Sequence, residues 1–401
     1  MDKDLATVVL KRGREKPVRN RHPWIFSGAV ARFGGDVEDG DLVRVTDSRG
    51  QYLATGYLNR RSQICVRLLT WDEDEPIGPD FWQRRLERSA AGRSHLAGDS
   101  AGASRTDAYR LVYGEADGLP GLIVDRYGGW LVVQSLTLGI ARRQEALTEL
   151  LVDLLKPRGI YARNDAPVRR KEGLSLENHL LWGQEPPDLL EIVECGHRFL
   201  VDLRRGHKTG FYLDQRENRR RTATHCPGAD VLNAFAYTGG FGVYAGRAGA
   251  RSVVNFDTST DALVLAEDNL ALNGCPPQEL IAGDSFQVLR HFRDEGRAFD
   301  LVVLDPPKFA ASQSQVRSAT RGYKDVNLLA MQLLRPGGLL VTFSCSGLVS
   351  SDLFQKVVFG AGVDARRDVQ IIERLAQGPD HPVLLSFPES AYLKGLACRV
   401  W

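Results

Sequence analysis

The sequence predicts an α/β protein built around a doubly wound, Rossmann-like sheet, with two β-rich regions ahead of it. Three observations carry this expectation. From about residue 190, short apolar strands alternate with amphipathic segments. VLNAFAY, SVVNFD, LIAGD, LVVLD and GLLVTFS are separated by stretches such as LVLAEDNLALNG (Leu263–Gly274) and VNLLAMQLL (Val326–Leu334), the pattern of βαβ units. Residues 1–72 instead hold TVVL, DLVRVTD, QYLATGYL and QICVRLLT, β-branched or alternating runs too closely spaced for helical crossovers. Between these regions, RLVYGEADGLPGLIVDRYGGWLVVQSL (Arg110–Leu136) alternates and carries DG, GLPG and GG turns, which reads as strand hairpins.

The elements follow in order, and 401 residues suffice for two or three domains. Residues 1–72 form a small β-barrel unit. Acidic WDEDEPIGPD (Trp71–Asp80) is a linker, and FWQRRLERSAAGRSHL has helical spacing. The hairpins, a helix over Ala141–Leu155 and a strand over Gly159–Asn164 complete a central α+β unit, residues 73–189. Its acids Glu115, Asp117 and Asp125 are read as turn stabilisers rather than catalytic groups. Residues 190–401 form the Rossmann-like domain. Its last two strands are read as VLLSF and LACRVW, joined by PESAYLKG. That connection is too short for a helical crossover, so the pair is an antiparallel hairpin.

A net charge of +2 identifies no partner, but the charge is unevenly placed. Lys11, Arg12, Arg14, Lys16, Arg19 and Arg21 cluster near the start. A second run holds Arg198, Arg204, Arg205, His207 and Lys208, then Arg216, Arg219, Arg220 and Arg221. Such stripes suit either phosphate contacts or a solvated charged face. Six scattered cysteines without a CxxC pair argue against a zinc site or a disulfide framework. With no apolar run near 18 residues and no signal-peptide pattern, a reducing cytoplasm is expected, and no membrane partner.

VLNAFAYTGGFGVYAGRAGA (Val231–Ala250) places a Gly pair between the first sheet strand and its helix, letting backbone approach a ligand. The turn lacks the G-x-G-x-x-G spacing of a pyrophosphate loop. Asp257 ends the second strand, where a carboxylate can accept both ribose hydroxyls. Asp284, after the third strand, is placed for an adenine amino group, with Phe286 near the ring face. Helix N-capping is the structural alternative for both acids. A ligand with ribose and adenine but no pyrophosphate points to S-adenosylmethionine.

DPP (Asp305–Pro307), followed by Lys308 and Phe309, ends the fourth strand, and SCSG (Ser344–Gly347) ends the fifth. In open parallel sheets, reacting groups gather outside the carboxyl ends of the strands. Asp305 and Cys345 are thus expected to meet over one substrate. The DPP resembles the (D/N)PP motif of methyltransferases acting on nitrogen or on nucleobases, but Lys308 stands where amino-methylating enzymes usually carry an aromatic. Carbon 5 of cytosine is a weak nucleophile until a thiolate adds at carbon 6, which is covalent catalysis. Cys345 suits the nucleophile and Asp305 the carboxyl group that steadies the ring. The proton acceptor is unassigned, with Lys308 and water as candidates. Cys65, Cys195, Cys226, Cys275 and Cys398 are read as structural.

These motifs carry a resemblance. GREKPVRNRHPWIFSGAV and GDLVRVTDSRGQYLATGYLN are similar to the strands of PUA domains, small RNA-binding barrels. With KTGFYLDQREN (Lys208–Asn218), LNAFAYTGGFGVYA, LDPPKF and TFSCSG, the whole chain resembles bacterial 23S ribosomal RNA (cytosine-C5) methyltransferases of the RlmI-like type. The resemblance implies a PUA domain, a central domain and a class I methyltransferase domain, with 23S ribosomal RNA as partner. It implies cofactor roles for Lys208, Phe211, Gln215 and Arg216, and for Asn233, Phe235, Tyr237, Thr238, Gly239, Asp257, Asp284, Phe286 and Asp305. The expected oligomeric state is open, a homodimer among its forms. Two other readings compete: a base N-methyltransferase using the DPP motif, and an RNA-binding assembly factor with an inactive cofactor fold.

Overall fold

A computed structural model describes residues 5–96, 105–310 and 312–401. The N-terminal sheet has six strands: β1 (Thr7–Leu10), β2 (Trp24–Phe26), β3 (Val30–Gly34), β4 (Leu42–Thr46), β5 (Tyr52–Leu58) and β6 (Ile64–Thr70), with the short α1 (Lys16–Arg19) after β1. Their order is β2-β6-β5-β4-β1-β3, with β1 parallel to β4 and the other pairs antiparallel. Val8, Leu10, Val43, Val45, Leu58 and Val66 are buried in its core. Strand alternation sends these side chains to one face, as the period-2 pattern requires.

The central region holds α2 (Pro79–Ala91), β7 (Ala108–Tyr113), β8 (Leu122–Tyr127), β9 (Trp130–Ser135), α3 (Leu138–Ala141), α4 (Gln144–Leu155), β10 (Gly159–Asn164), α5 (Val168–Lys171) and β11 (Glu177–Gly183). They build a five-stranded sheet, β11-β10-β9-β8-β7. The single helix expected from Ala141 is instead the pair α3 and α4, which joins β9 to the parallel β10. The three acids of this region are all engaged. Glu115 accepts from Arg67 at 3.0 Å and from Trp24 Nε1 at 2.7 Å, tying the first sheet to the second. Asp117 takes both terminal nitrogens of Arg93 at 2.7 Å. Asp125, fully buried, pairs with Arg110 at 2.8 Å and accepts from Thr209 at 2.6 Å, fastening the KTGFYLDQREN segment to the central sheet.

After the hairpin of β12 (Leu190–Glu194) and β13 (His197–Val201) comes α6 (Arg216–Ala223), then the large sheet. Its strands are β14 (Asp230–Ala234), β15 (Ser252–Asp257), β16 (Glu279–Ala282), β17 (Phe299–Leu304), β18 (Leu334–Ser344), β19 (Val369–Ala376) and β20 (Lys394–Val400). The intervening helices are α7 (Gly240–Arg247), α8 (Thr260–Leu272), α9 (Ser285–Asp294), α10 (Val316–Leu333) and α11 (Ser351–Ala365). The order β16-β15-β14-β17-β18-β20-β19 reverses direction at β14, between β15 and β17. β20 is antiparallel to both neighbours. Ligands bind at such a switch point, beyond the carboxyl ends of the strands.

The final antiparallel pair has a different first member from the one expected. It is Val369–Ala376, whose alternation is masked because an edge strand leaves Ile371 and Ile372 partly exposed. VLLSF (Val383–Phe387) is a loop held by one bridge between Leu384 and Phe387. Pro382 and Pro388 bracket it, and proline brings no N–H to a ladder. Leu385 is 97 % exposed, while Phe387 turns inward against Trp24, ring centroids 4.6 Å apart. Among the described residues, no helix is long and apolar enough to cross a membrane.

Candidate active site

One cavity of about 430 Å³ opens at the carboxyl ends of β14, β15, β16, β17 and β18, within the size range of small-molecule sites. It brings together Lys208, Phe211, Gln215, Phe235, Tyr237, Thr238, Asp257, Asp284, Phe286, Asp305, Lys308 and Cys345. The sheet topology explains this assembly, since each of the five strands ends at the same edge.

The wall after β14 and β15 is built for a polar ligand. Phe235 and Tyr237 sit at φ +60° and +49°, left-handed conformations that are uncommon for side-chain-bearing residues and cluster at functional sites. Asp257 holds this turn in place: it accepts the Tyr237 N–H at 2.8 Å and the Ser259 N–H at 3.0 Å. Asp284 does cap α9, but both cap bonds, from Phe286 and Gln287 at 3.1 Å, go to Oδ1. The residue lines the cavity. Thr238 Oγ1 is buried at the cavity wall without a protein partner, a position that a bound polar group would satisfy.

The opposite wall holds Asp305 and Cys345. Asp305 follows β17 and is half-buried at the cavity wall; desolvation pushes its carboxyl up to about 7, Asp214 pushes it the same way, and a bond from Gln215 and the charges of Arg219 and Lys208 oppose. Cys345 follows β18. Burial raises its thiol above the usual value, the Asp305 charge adds to that, and Lys208 pulls it down.

Three expected cofactor residues lie off the cavity. Arg216 is fully buried and turned away, paired with Asp380 at 2.8 Å. Asn233 donates to Asn255 at 2.9 Å within the sheet, and Asn255 donates on to Gln278 at 2.7 Å. Gly239, at φ +79°, packs closely on α8: a Cβ there would lie 3.0 Å from the Ala266 Cβ. The second basic run also breaks up. Arg219 forms a buried bidentate pair with Glu194 at 2.8 and 2.7 Å, and Arg198, Arg204, Arg220 and Arg221 pair with acids.

Other lining residues were missed by the sequence reading. Asp214 accepts from the Tyr392 hydroxyl, and both line the cavity. His207 stacks on Tyr237 at 4.7 Å and 10°, with Tyr212 edge-on to the same ring at 5.3 Å. The aromatic content of KTGFYLDQREN was the available signal for Tyr212. Tyr392 had none, being 178 residues from its partner.

Residues 8–71 match the profile of the PUA-like domain, and residues 175–399 match that of the S-adenosylmethionine-dependent methyltransferases. The second match spans more than half of the chain. The chain belongs to the S-adenosylmethionine-dependent methyltransferase family. Its relatives in that family include the ribosomal RNA large subunit methyltransferase I of Erwinia tasmaniensis, 48% identical over 395 residues, covering 98% of this chain and 99% of the relative. The enzyme of the same name from Klebsiella pneumoniae is also 48% identical, covering 98% of each chain. Among solved structures, SMU.776 complexed with SAH superposes with a TM-score of 0.86 at 21% identity, covering 98% of this chain and 99% of that one. That likeness shows the shared fold. The family's cofactor is S-adenosylmethionine, and the cavity fits it: Asp257 and Asp284 present carboxylate oxygens, and Thr238 Oγ1 an unsatisfied hydroxyl.

Proposed function

We propose that this protein methylates carbon 5 of a cytosine in large-subunit ribosomal RNA through a transient bond from Cys345. The observation that carries the reading is that Cys345 and Asp305 line the same cavity as Asp257 and Asp284. The RNA class rests on the names of full-length relatives at 48% identity. Bound S-adenosylmethionine supplies an electrophilic methyl group.

The protein's own groups do the rest. The Cys345 thiolate adds to carbon 6, and the displaced electron pair makes carbon 5 nucleophilic. Asp305, with its carboxyl pushed up to about 7, carries a proton in a substantial fraction of molecules near neutrality and can donate it to N3. Protonation also removes the negative charge that opposes the thiolate, so the two groups titrate together. Methyl transfer leaves the donor as the neutral thioether; a base then takes the carbon-5 proton, the electron pair re-forms the ring double bond, the sulfur leaves as thiolate, and N3 returns its proton to Asp305. Lys308 and water admitted to the cavity are the acceptors this reading offers. The three-unit division at 1–72, 73–189 and 190–401 belongs to the same proposal, the first unit gripping RNA.

Base N-methylation through Asp305–Pro307 is the second reading, favoured by the DPP motif itself. Cys345→Ala separates the two. The assay transfers labelled methyl groups to undermethylated large-subunit RNA, followed by nucleoside mass spectrometry. Loss of 5-methylcytosine with intact cofactor binding supports the covalent route; full transfer overturns it.

A further inference from the structure

We infer that Lys394 is a positioning residue for the nucleophile, bracing the Cys345 loop and holding a positive charge beside the thiol. This rests on the proposed role of Cys345. Lys394 opens β20 and pairs in register with Ser344, the last residue of β18. The lysine therefore sits across the ladder from the residue before the thiol. Its Nζ donates to the carbonyls of Ser346 at 2.7 Å and Val349 at 2.8 Å. Those carbonyls flank the turn closed by the Val349 N–H on Ser346 O at 3.0 Å. The opposite side of the turn is held independently: the Tyr323 hydroxyl lies 3.1 Å from Ser346 Oγ, which also takes the Ala310 N–H at 3.4 Å. The loop is thus pinned from β20 and from α10, with Cys345 between.

Two carbonyl acceptors are ligands for an ammonium, and a partly buried charge acts strongly on near neighbours. Desolvation pulls the lysine down to about 8, the Cys345 charge holds its proton on, and Lys308 works against it. Around the thiol, Asp305 and Asp214 oppose ionisation and Lys208 favours it, while Tyr212 and Tyr323 face it as phenols. Lys394, bonded to the Ser346 and Val349 carbonyls, stands beside this balance.

The test is alkylation of Cys345 by iodoacetamide in the full-length protein across a pH series, read by mass spectrometry of the peptide that contains it. Lys394→Met and Lys394→Gln are expected to raise the reactivity midpoint by about one unit, slowing alkylation about tenfold near neutral pH, while Lys394→Arg stays near wild type. Gln keeps a donor for the carbonyls without the charge, so it also serves if the Met variant does not fold. An unchanged midpoint in the Gln variant overturns the inference, and so does an equal shift in the Arg variant. Methyl transfer retained by Cys345→Ala would instead sink the nucleophile reading and leave the lysine–thiol result standing.

Discussion

The guanidinium of Arg216 meets the carboxylate of Asp380 at 2.8 Å with both side chains fully buried. This pair ties α6, beside the cavity, to the long loop between β19 and β20. Asp380 also accepts the Arg110 N–H at 2.9 Å, and its carbonyl takes Arg93 at 3.0 Å. Burial alone would raise this carboxyl, but His381, Arg216 and the Arg110 N–H together hold it far below the usual range.

Breaking this pair is expected to destabilise the fold. Removing one partner of a buried ion pair leaves the other charge uncompensated, at a cost of about 3–5 kcal/mol. Arg216→Ala and Asp380→Ala should each lose stability on this scale in urea titrations. Because Asp380 is depressed in the folded state, its contribution is present above the unfolded carboxyl value and lost as pH falls through the acid range. A flat stability profile from neutral to acid pH, in wild type compared with Asp380→Asn, would contradict this.

Asp305→Asn should uncouple reactivity from catalysis. Methyl transfer is expected to fall about 10²–10⁴-fold with the loss of the acid. Yet the Cys345 thiol should alkylate at lower pH than in wild type, because the neighbouring negative charge is gone. A thiol profile that does not move would show that the two groups do not interact.

The same substitution has a stability consequence of opposite sign to Asp380. Asp305 is raised to about 7 in the folded protein, so its favourable contribution is present below the unfolded value near 3.8 and lost as pH rises through about 7. Asp305→Asn should therefore be more stable than wild type in alkaline buffer, by at most about 4 kcal/mol at 1.4 kcal/mol per unit. Thermal melts at acid and alkaline pH check the sign.

Asp257→Ala removes a carboxylate that faces the cavity and holds the Tyr237 and Ser259 N–H groups. Calorimetry should show S-adenosylmethionine bound more than about tenfold more weakly, a loss above about 1.4 kcal/mol. Binding at wild-type strength would remove this acid from the cofactor site.

Arg67 lies between the N-terminal sheet and the central region, 3.0 Å from Glu115 and 3.2 Å from Glu172, with its guanidinium 5.5 Å from the Trp24 ring centre. Arg67→Ala removes the cation from the buried Glu172 and the half-buried Glu115 and should cost about 3 kcal/mol. It should also expose the Trp71–Asp80 connection to limited proteolysis. Equal cleavage rates in variant and wild type would show that this contact does not hold the two regions together.

Local patterning alone determined most of the fold. Strand alternation, turn residues and the strand–helix repeat depend on neighbours a few positions away, and so most strands, the doubly wound sheet and the acids at strand ends were legible, while the edge strand Val369–Ala376 was not. Asp257, Asp284, Asp305 and Cys345 were placed at one edge because parallel strands must all end there. Tertiary structure alone decided which way individual side chains turn. Gln215 and Arg216 are adjacent, but successive residues in a helical turn point about 100° apart, so one lines the cavity and the other meets Asp380. Gly239 answers to Ala266, Tyr392 to Asp214 and Lys394 to Ser346 and Val349. Those partners are distant along the chain and come together only when the sheet closes its order, which is why no local pattern announces them.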